Sequence, residues 1–358
     1  MSERDETLVI LSPGFPKDEA DSTCIPPQQV FVRNLKLQFP TLNIVVLAFE
    51  YPFHSAHYLW NGVTVISFGG KNNGGGTRLN NWLRVWLTLR RLKKQYQLLG
   101  LLSFWMGDCA FIANAFAKKN NLKHFCWILG QDAKSGNKYF RWTKPDGKSL
   151  IALSDFILNE VKNNYSVTPA HIIPVGVDPC LFGDAQVKRD IDILGAGSLI
   201  PLKLFSLLIN MVSTLHIYFP DIRAVICGDG PERELLSMLI KDYQLEKNIE
   251  LTGELPHASV LELMQRTKVF AHPSSYEGLG MVCLEALHAG AQVVSFVRPM
   301  DQSIKNWHFA GTHDEMVNML KAILEDPLCN HNKVSPYLIK DTCIAMMRLY
   351  GYNDSAIS

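Results

Sequence analysis

No apolar stretch of the 358-residue sequence reaches the roughly 20 residues needed to span a bilayer. The eight cysteines, at 24, 109, 126, 180, 227, 283, 329 and 343, include no pair with the Cys-x-x-Cys spacing of a zinc or thiol-redox site. The first absence argues against a transmembrane helix and the second against a small metal-stapled fold. Cys227 and Cys283 lie in apolar runs and read as small core residues. Charge is scarce as well. Asp, Glu, Lys and Arg make up 19% of the chain and the net charge is +1, so no general electrostatic pull on nucleic acid is expected. No Gly-x4-Gly-Lys-Ser/Thr loop exists, which removes the helicase reading of Asp18-Glu-Ala-Asp21. Residues 1–6 are polar rather than signal-peptide-like, and long low-complexity tracts and short repeats are missing. These absences describe a reduced, cytoplasmic protein. Its hydrophobic content of 47% over 358 residues suits two packed domains.

Short apolar runs alternate with segments of helical length. In the first half the runs fall at 7–12, 43–49, 63–68, 98–104, 123–129 and 149–153, with helical patterns at 27–39, 79–95 and 109–119. The second half repeats the scheme, with runs at 191–195, 223–227, 249–252, 269–272 and 292–296. Its helices are expected near 202–217, 231–243, 259–265 and 281–289. Such alternation predicts α/β architecture with parallel sheets and helices on both faces. A turn-rich stretch at 171–190, holding Pro174, Gly176, Pro179 and Gly183, reads as the join between domains 1–172 and 173–335. A last helix within 336–358 has no home that pattern alone assigns.

Ligands of open parallel sheets sit beyond the carboxyl ends of strands, so the residues that follow each strand carry the functional signal. The strongest run is His272-Pro-Ser-Ser-Tyr-Glu-Gly-Leu-Gly-Met-Val-Cys-Leu-Glu285. Gly278 and Gly280 let a ligand approach the backbone, and the N–H groups of the helix start suit a diphosphate. Glu277 and Glu285 flank that anion site as acceptors for sugar hydroxyls. The plain alternative is a helix with a dipole-matched Glu and two turn glycines. A second run, Gly195-Ala-Gly-Ser-Leu-Ile-Pro-Leu-Lys203, places a cation near a helix start, a conflict that a bound phosphate would resolve. It lacks the third glycine of the dinucleotide fingerprint. Cys227-Gly-Asp-Gly-Pro-Glu232 reads as a tight turn with Gly230 before a helix that starts at Pro231. Leu251-Thr-Gly-Glu-Leu255 could line a base pocket through its backbone. Asp190-Ile-Asp192 spells Asp-x-Asp, but it opens a strand and so points away from the ligand end. His54, His57, His308 and His313 have no supporting cluster.

These runs, in this order and joined to Ile173-Pro-Val-Gly-Val-Asp178, resemble the family 4 retaining glycosyltransferases over nearly all of 171–296. The specific part is the Glu277-x7-Glu285 pair. The resemblance implies a GT-B fold, two Rossmann-like domains facing each other across a cleft. It implies a UDP- or GDP-sugar donor, no separate cofactor and no metal, and a glycan or lipid-linked acceptor of the kind used in cell-envelope polysaccharide synthesis. By resemblance, Lys203 neutralises the leaving diphosphate and Glu277 meets donor-sugar hydroxyls. Glu285 accepts from the ribose, Leu255 lies beside the base, and Gly278, Leu279, Gly280, Met281 and Val282 line the diphosphate and sugar. Ser198 stands where many members carry Arg, so half of a cationic clamp is absent or supplied elsewhere. In the first half Gly14 and Phe15 occupy the place of a family glycine loop. Gln131 and Asp132 follow the strand that ends at 129, where Asp132 is either a catalytic candidate or a turn residue.

Two rivals keep the fold: a nucleotide-sugar epimerase and a catalytically weak nucleotide-sugar binder, the latter suggested by Ser198. A Rossmann oxidoreductase comes third. The segment 78–95 adds Arg78, Arg84, Arg90, Arg91, Lys93 and Lys94 beside Trp82 and Trp86, which share a helix face with Leu79 and Leu83 close by. That composition fits either a peripheral membrane helix or a core helix with a basic edge.

Overall fold

The computed structural model describes residues 5–71, 74–183 and 187–352. The start at 1–4 and residues 184–186 of the turn-rich join lie outside the described residues. Two compact units emerge: residues 1–175 together with 339–358, and residues 176–338.

The first unit is built on an eight-stranded sheet. Its strands are β1 (Glu6–Gly14), β2 (Asn43–Tyr51), β3 (Ser55–Trp60), β4 (Val63–Phe68), β5 (Gln97–Phe104), β6 (Lys123–Ile128), β7 (Leu150–Ala152) and β8 (His171–Ile172), in the order β3-β4-β2-β1-β5-β6-β7-β8. All neighbours pair in parallel except β3 with β4. β1 reads as a continuous apolar run because both of its faces are covered. Val9 pairs with Val45 on one side and Leu101 on the other, and helices Gly75–Gln95 and Asp108–Asn120 bury Val85, Leu89 and Phe116 against that face. β3 is an edge hairpin partner whose exposure alternates along the chain, a pattern too polar to stand out in the sequence. Helices Lys138–Thr143 and Asp155–Tyr165 are also additions to the sequence reading. The second had a readable signal in Ser154, whose Oγ accepts the Ile157 N–H at 3.2 Å.

The final helix, Ile339–Tyr350, belongs to this first unit. It packs on helix Pro26–Gln38, buries Cys343, Met346 and Met347, and donates from Tyr350 Oη to the Leu101 carbonyl at 2.7 Å.

The second unit has six strands, all parallel: β9 (Ile191–Ala196), β10 (Ala224–Cys227), β11 (Ile249–Gly253), β12 (Thr267–His272), β13 (Gln292–Ser295) and β14 (Trp307–Phe309), in the order β11-β10-β9-β12-β13-β14. Ile193 pairs with Ala224 and Val269. Helix Phe205–His216 buries Leu208 and Val212 in the same core. Asp190 and Asp192 lie at the amino end of β9, where Arg223, Arg266 and Lys268 pair with them. Helix His313–Glu325 was not apparent in the sequence pattern, although Thr312 Oγ1 caps it by accepting the Glu315 N–H at 3.2 Å. The helix after β10 begins at Arg233, so Pro231 stands ahead of it rather than at its first position.

Candidate active site

In each sheet the chain leaves a central strand to one side and later returns to the other, and a ligand crevice opens at that reversal. In the second unit the reversal lies between β9 and β12. Both strong sequence runs emerge there.

The loop after β9 and the loop after β10 are stitched together. Gly197 N–H donates to the Cys227 carbonyl at 2.9 Å, Leu199 N–H to Asp229 at 2.9 Å and Glu232 N–H to Leu199 at 3.0 Å. Glycine is required for this contact: a Cβ on Gly228 would stand 1.9 Å from the Gly197 carbonyl oxygen, and one on Gly230 2.5 Å from that of Leu199. On the other flank Ser275 N–H donates to the Leu202 carbonyl at 3.0 Å, which ties the β9 loop to the loop after β12. Lys203, in a 3-10 turn before helix Phe205–His216, is thereby held against Glu277, with Nζ 2.5 Å from Oε2.

His272, the last residue of β12, presents Nε2 to the same oxygen at 3.2 Å. Burial raises the Glu277 carboxyl, but the His272 hydrogen bond and the Lys203 ammonium outweigh it and hold its pKa down at about 2. Burial also lowers His272 and keeps it neutral near pH 7. The result is a fixed carboxylate with a cation on one side and a neutral imidazole on the other.

Helix Met281–His288 starts beside this group. Its N-cap, Gly280, has φ +71° and makes no side-chain capping bond. The Gly280 carbonyl takes the N–H groups of Cys283 and Leu284, so Gly280, Met281 and Val282 are the amides that helix geometry leaves without an intrahelical acceptor. Gly278 is buried, and the Leu279 side chain faces the core. One turn along, Glu285 Oε1 meets His257 Nε2 at 2.8 Å. Leu255, half-buried, precedes that histidine by two residues, at the exit of β11. Ser198 is exposed on the β9 loop. The sequence reading left out His257 and gave no role to His272, the residue that opens its strongest run; the two are the direct partners of its two glutamates. The signal for His272 was its place as the last strand residue, five before Glu277.

In the first unit the reversal lies between β1 and β5, and a cavity of about 310 Å³ opens there. Arg78 Nη2 pairs with Asp108 Oδ1 at 2.6 Å, and the Tyr139 hydroxyl donates to the same oxygen. Glu50, Pro13 and Trp105 also line the cavity. Trp105 holds φ +61°, a left-handed conformation that costs a bulky residue about 1–3 kcal/mol. Burial raises Asp108 against the pull of Arg78. Sequence reasoning missed this cluster because its members are distant in sequence and belong to no motif.

Gly14 ends β1. Phe15 is fully buried edge-on to Trp60, with ring centroids 4.9 Å apart, and its N–H donates to the Tyr51 carbonyl; its ring serves the core. Asp132 lies in a 3-10 turn after β6. Its Oδ1 accepts from Leu129 and Gly130 N–H at 3.2 and 2.8 Å, and its Oδ2 from Met106 N–H at 2.8 Å. Burial outweighs those bonds and pushes its pKa up to about 6. This geometry supports the turn reading of Asp132: three amides occupy the carboxylate. Gln131, beside it, is exposed.

Residues 183–334 match the family model for glycosyl transferases group 1. The second unit belongs to that family. Over 206 residues the chain is 28% identical to the phosphatidylinositol N-acetylglucosaminyltransferase gpi3 subunit of Schizosaccharomyces pombe, covering 55% of this chain and 44% of that relative. The chain spans less than half the length of the first curated relatives it matches. Among solved structures it resembles sucrose-phosphate synthase of Thermosynechococcus elongatus, with TM-score 0.73, 15% identity and coverage of 97% and 98%. It also resembles Anabaena HepE in complex with UDP-glucose, with TM-score 0.67, 14% identity and coverage of 96% and 95%. The group 1 unit and these whole-chain matches give the GT-B fold. Among the described residues no helix is long and apolar enough to cross a membrane, and no cluster of three or more His, Cys, Asp or Glu could hold a metal.

Proposed function

We propose that this chain transfers a hexosyl group from a nucleoside diphosphate sugar to a hydroxyl of a glycan or lipid-linked glycan, with retention of configuration and without a metal. The observation that carries the reading is Lys203 held at Glu277 beside the uncapped start of helix Met281–His288, at the sheet reversal of a group 1 unit. Glycosyl transfer passes through an oxocarbenium-like state, and a diphosphate leaving group needs its growing charge stabilised more than it needs a proton. The Lys203 ammonium and the amides of Gly280, Met281 and Val282 are the groups to do it. Glu277, ionised across the whole working range, accepts from donor-sugar hydroxyls, and Glu285 accepts from the ribose. UDP-sugars are the first donors to test, since HepE was solved with UDP-glucose.

On the acceptor side, the Arg78–Asp108–Tyr139 cavity offers a carboxylate, a guanidinium and aromatic walls to a sugar-like ring. Helix Gly75–Gln95 turns Leu79, Leu83 and Leu87 outward, 62%, 57% and 50% exposed, with Arg90, Arg91 and Lys94 following on the exposed side. Its tryptophans face the other way, onto Phe111 and Phe116. A leucine stripe ending in cations suits peripheral contact with the cytoplasmic face of a membrane, where lipid-linked acceptors are found.

The test is Lys203→Ala assayed with UDP and uridine, and with GDP and guanosine. Diphosphate affinity and donor turnover should fall while nucleoside affinity holds. Equal losses for nucleoside and diphosphate would remove the leaving-group role.

A further inference from the structure

The first unit holds a second, larger cavity away from its sheet reversal, of about 540 Å³, between the 136–145 segment and the end of helix Asp155–Tyr165. Three cations line it, Lys138, Arg141 and Lys144, and no acidic residue does. In a chain of net charge +1 that is a marked local excess. Among the described residues none of the three forms an ion pair. The nearby acids are engaged elsewhere: Asp108, which feels the Lys138 charge, pairs with Arg78, Asp132 is bound by backbone amides, and Asp146 accepts the Lys148 N–H at 3.0 Å. Glu160, on helix Asp155–Tyr165, acts on Tyr165 without lining the cavity.

The wall behind the cations is rigid. Phe140 and Tyr165 stack with centroids 3.8 Å apart and planes 9° from parallel. The Tyr165 oxygen accepts the Asn137 N–H at 2.8 Å and donates to the Lys134 carbonyl. Lys144 caps its helix at φ +42°, a conformation that a non-glycine residue adopts at a cost, which fixes the direction in which its side chain leaves the chain. The Lys138 ammonium lies over the Trp142 ring, 5.0 Å from its centroid, and the Arg141 guanidinium fork with the Lys144 ammonium on the same cavity wall is a donor set that phosphoryl oxygens take.

We propose that this cavity binds a phosphoryl group through Lys138, Arg141 and Lys144. The group could belong to a lipid headgroup or to a soluble phosphate. Trp142, 43% exposed, continues the face toward helix Gly75–Gln95 through Phe111, with ring centroids at 5.8 Å and then 5.1 Å to Trp82. The inference needs nothing from the donor chemistry of the second unit.

The experiment uses the full chain, the double variant Arg141→Gln/Lys144→Gln, and a remote control of equal charge, Lys241→Gln/Lys247→Gln. Binding is measured to phosphatidylcholine vesicles with and without phosphatidic acid, and to inorganic phosphate by calorimetry. A lipid source is expected to show as binding that requires phosphatidic acid and weakens about thirtyfold in the double variant, two charges removed from beside an anionic surface. Phosphate binding lost only in the double variant, with vesicles inert, would support the site and make its ligand soluble. Wild-type behaviour of the double variant toward both probes, an equal loss in the remote control, or no binding of either probe to the wild type would overturn the proposal. UDP affinity, read in parallel, should stay unchanged in the double variant; an equal loss of UDP affinity there would show a general defect and count against the cavity, and absence of UDP binding in the wild type would sink the donor reading alone.

Discussion

Replacing Glu277 by Gln removes one charge from the Lys203–Glu277–His272 group and leaves its shape intact. The carboxyl sits at about 2 in the folded chain against an ordinary 4.5, a gap worth about 3 kcal/mol at roughly 1.4 kcal/mol per pH unit. A carboxylate depressed by folding contributes stability above its unfolded pKa and loses it as pH falls through the folded one. The contribution is therefore complete at pH 7, and about 2 of the 3 kcal/mol are gone by pH 3. Urea denaturation of wild type and Glu277→Gln across that range should show a stability difference that shrinks by about that amount. Lys203→Met should show the same direction of pH dependence. It strands a largely buried carboxylate with only His272 beside it, so its cost is greater at pH 7 than at pH 3. By contrast, the lysine freed in Glu277→Gln can reach water along its flexible stem, and its ammonium no longer has a carboxylate competing with a diphosphate. Nucleoside diphosphate affinity should then hold or rise while sugar transfer falls. A pH-independent difference between wild type and Glu277→Gln would refute the electrostatic account of this group.

Glu285→Ala should weaken nucleotide binding about 10- to 100-fold, the loss of a charge-assisted hydrogen bond, and unchanged calorimetry with an intact fold would remove the ribose role. Donor hydrolysis or transfer should survive EDTA; complete loss restored by magnesium or manganese would show that a metal, not Lys203 and the helix start, stabilises the leaving group. Leu83→Ser/Leu87→Ser should reduce co-sedimentation with anionic vesicles and leave UDP affinity untouched, and vesicle binding equal to wild type would return helix Gly75–Gln95 to a purely structural role.

The parallel sheets and the loops after β9, β10 and β12 were legible because each signal is local: a run of apolar residues, a glycine that a close backbone contact demands, then a helix start. The same locality explains what was not legible. His257 and His272 contact Glu285 and Glu277 across loops, and Arg78, Asp108 and Tyr139 meet only because three helices begin or turn near one sheet reversal. The polar edge strand Ser55–Trp60 carries too little apolar contrast to announce itself. For helix Gly75–Gln95, the spacing put Trp82 and Trp86 on one face with Leu79 and Leu83 beside it as the candidate membrane face, and the structure corrects this by turning the two sets apart. The sheet takes Val85 and Leu89 and a neighbouring helix takes the tryptophans, which leaves the leucines in solvent.

The return of helix Ile339–Tyr350 to the first unit makes the second an insertion within the first. The ends of that insertion are adjacent: Val177 bridges to Leu338, and its N–H donates to the Tyr337 carbonyl at 3.0 Å. A chain stopped after residue 338 would thus keep every residue assigned to the donor, and the damage would fall on the other unit. There the Tyr350 ring fills the space beside Gly100, 2.6 Å from where a Cβ would stand, and its loss would uncover the floor of β5. Excision should work in the opposite sense: residues 176–338, cut at two neighbouring points, form a module that can be lifted out or circularly permuted without breaking a strand of its own sheet.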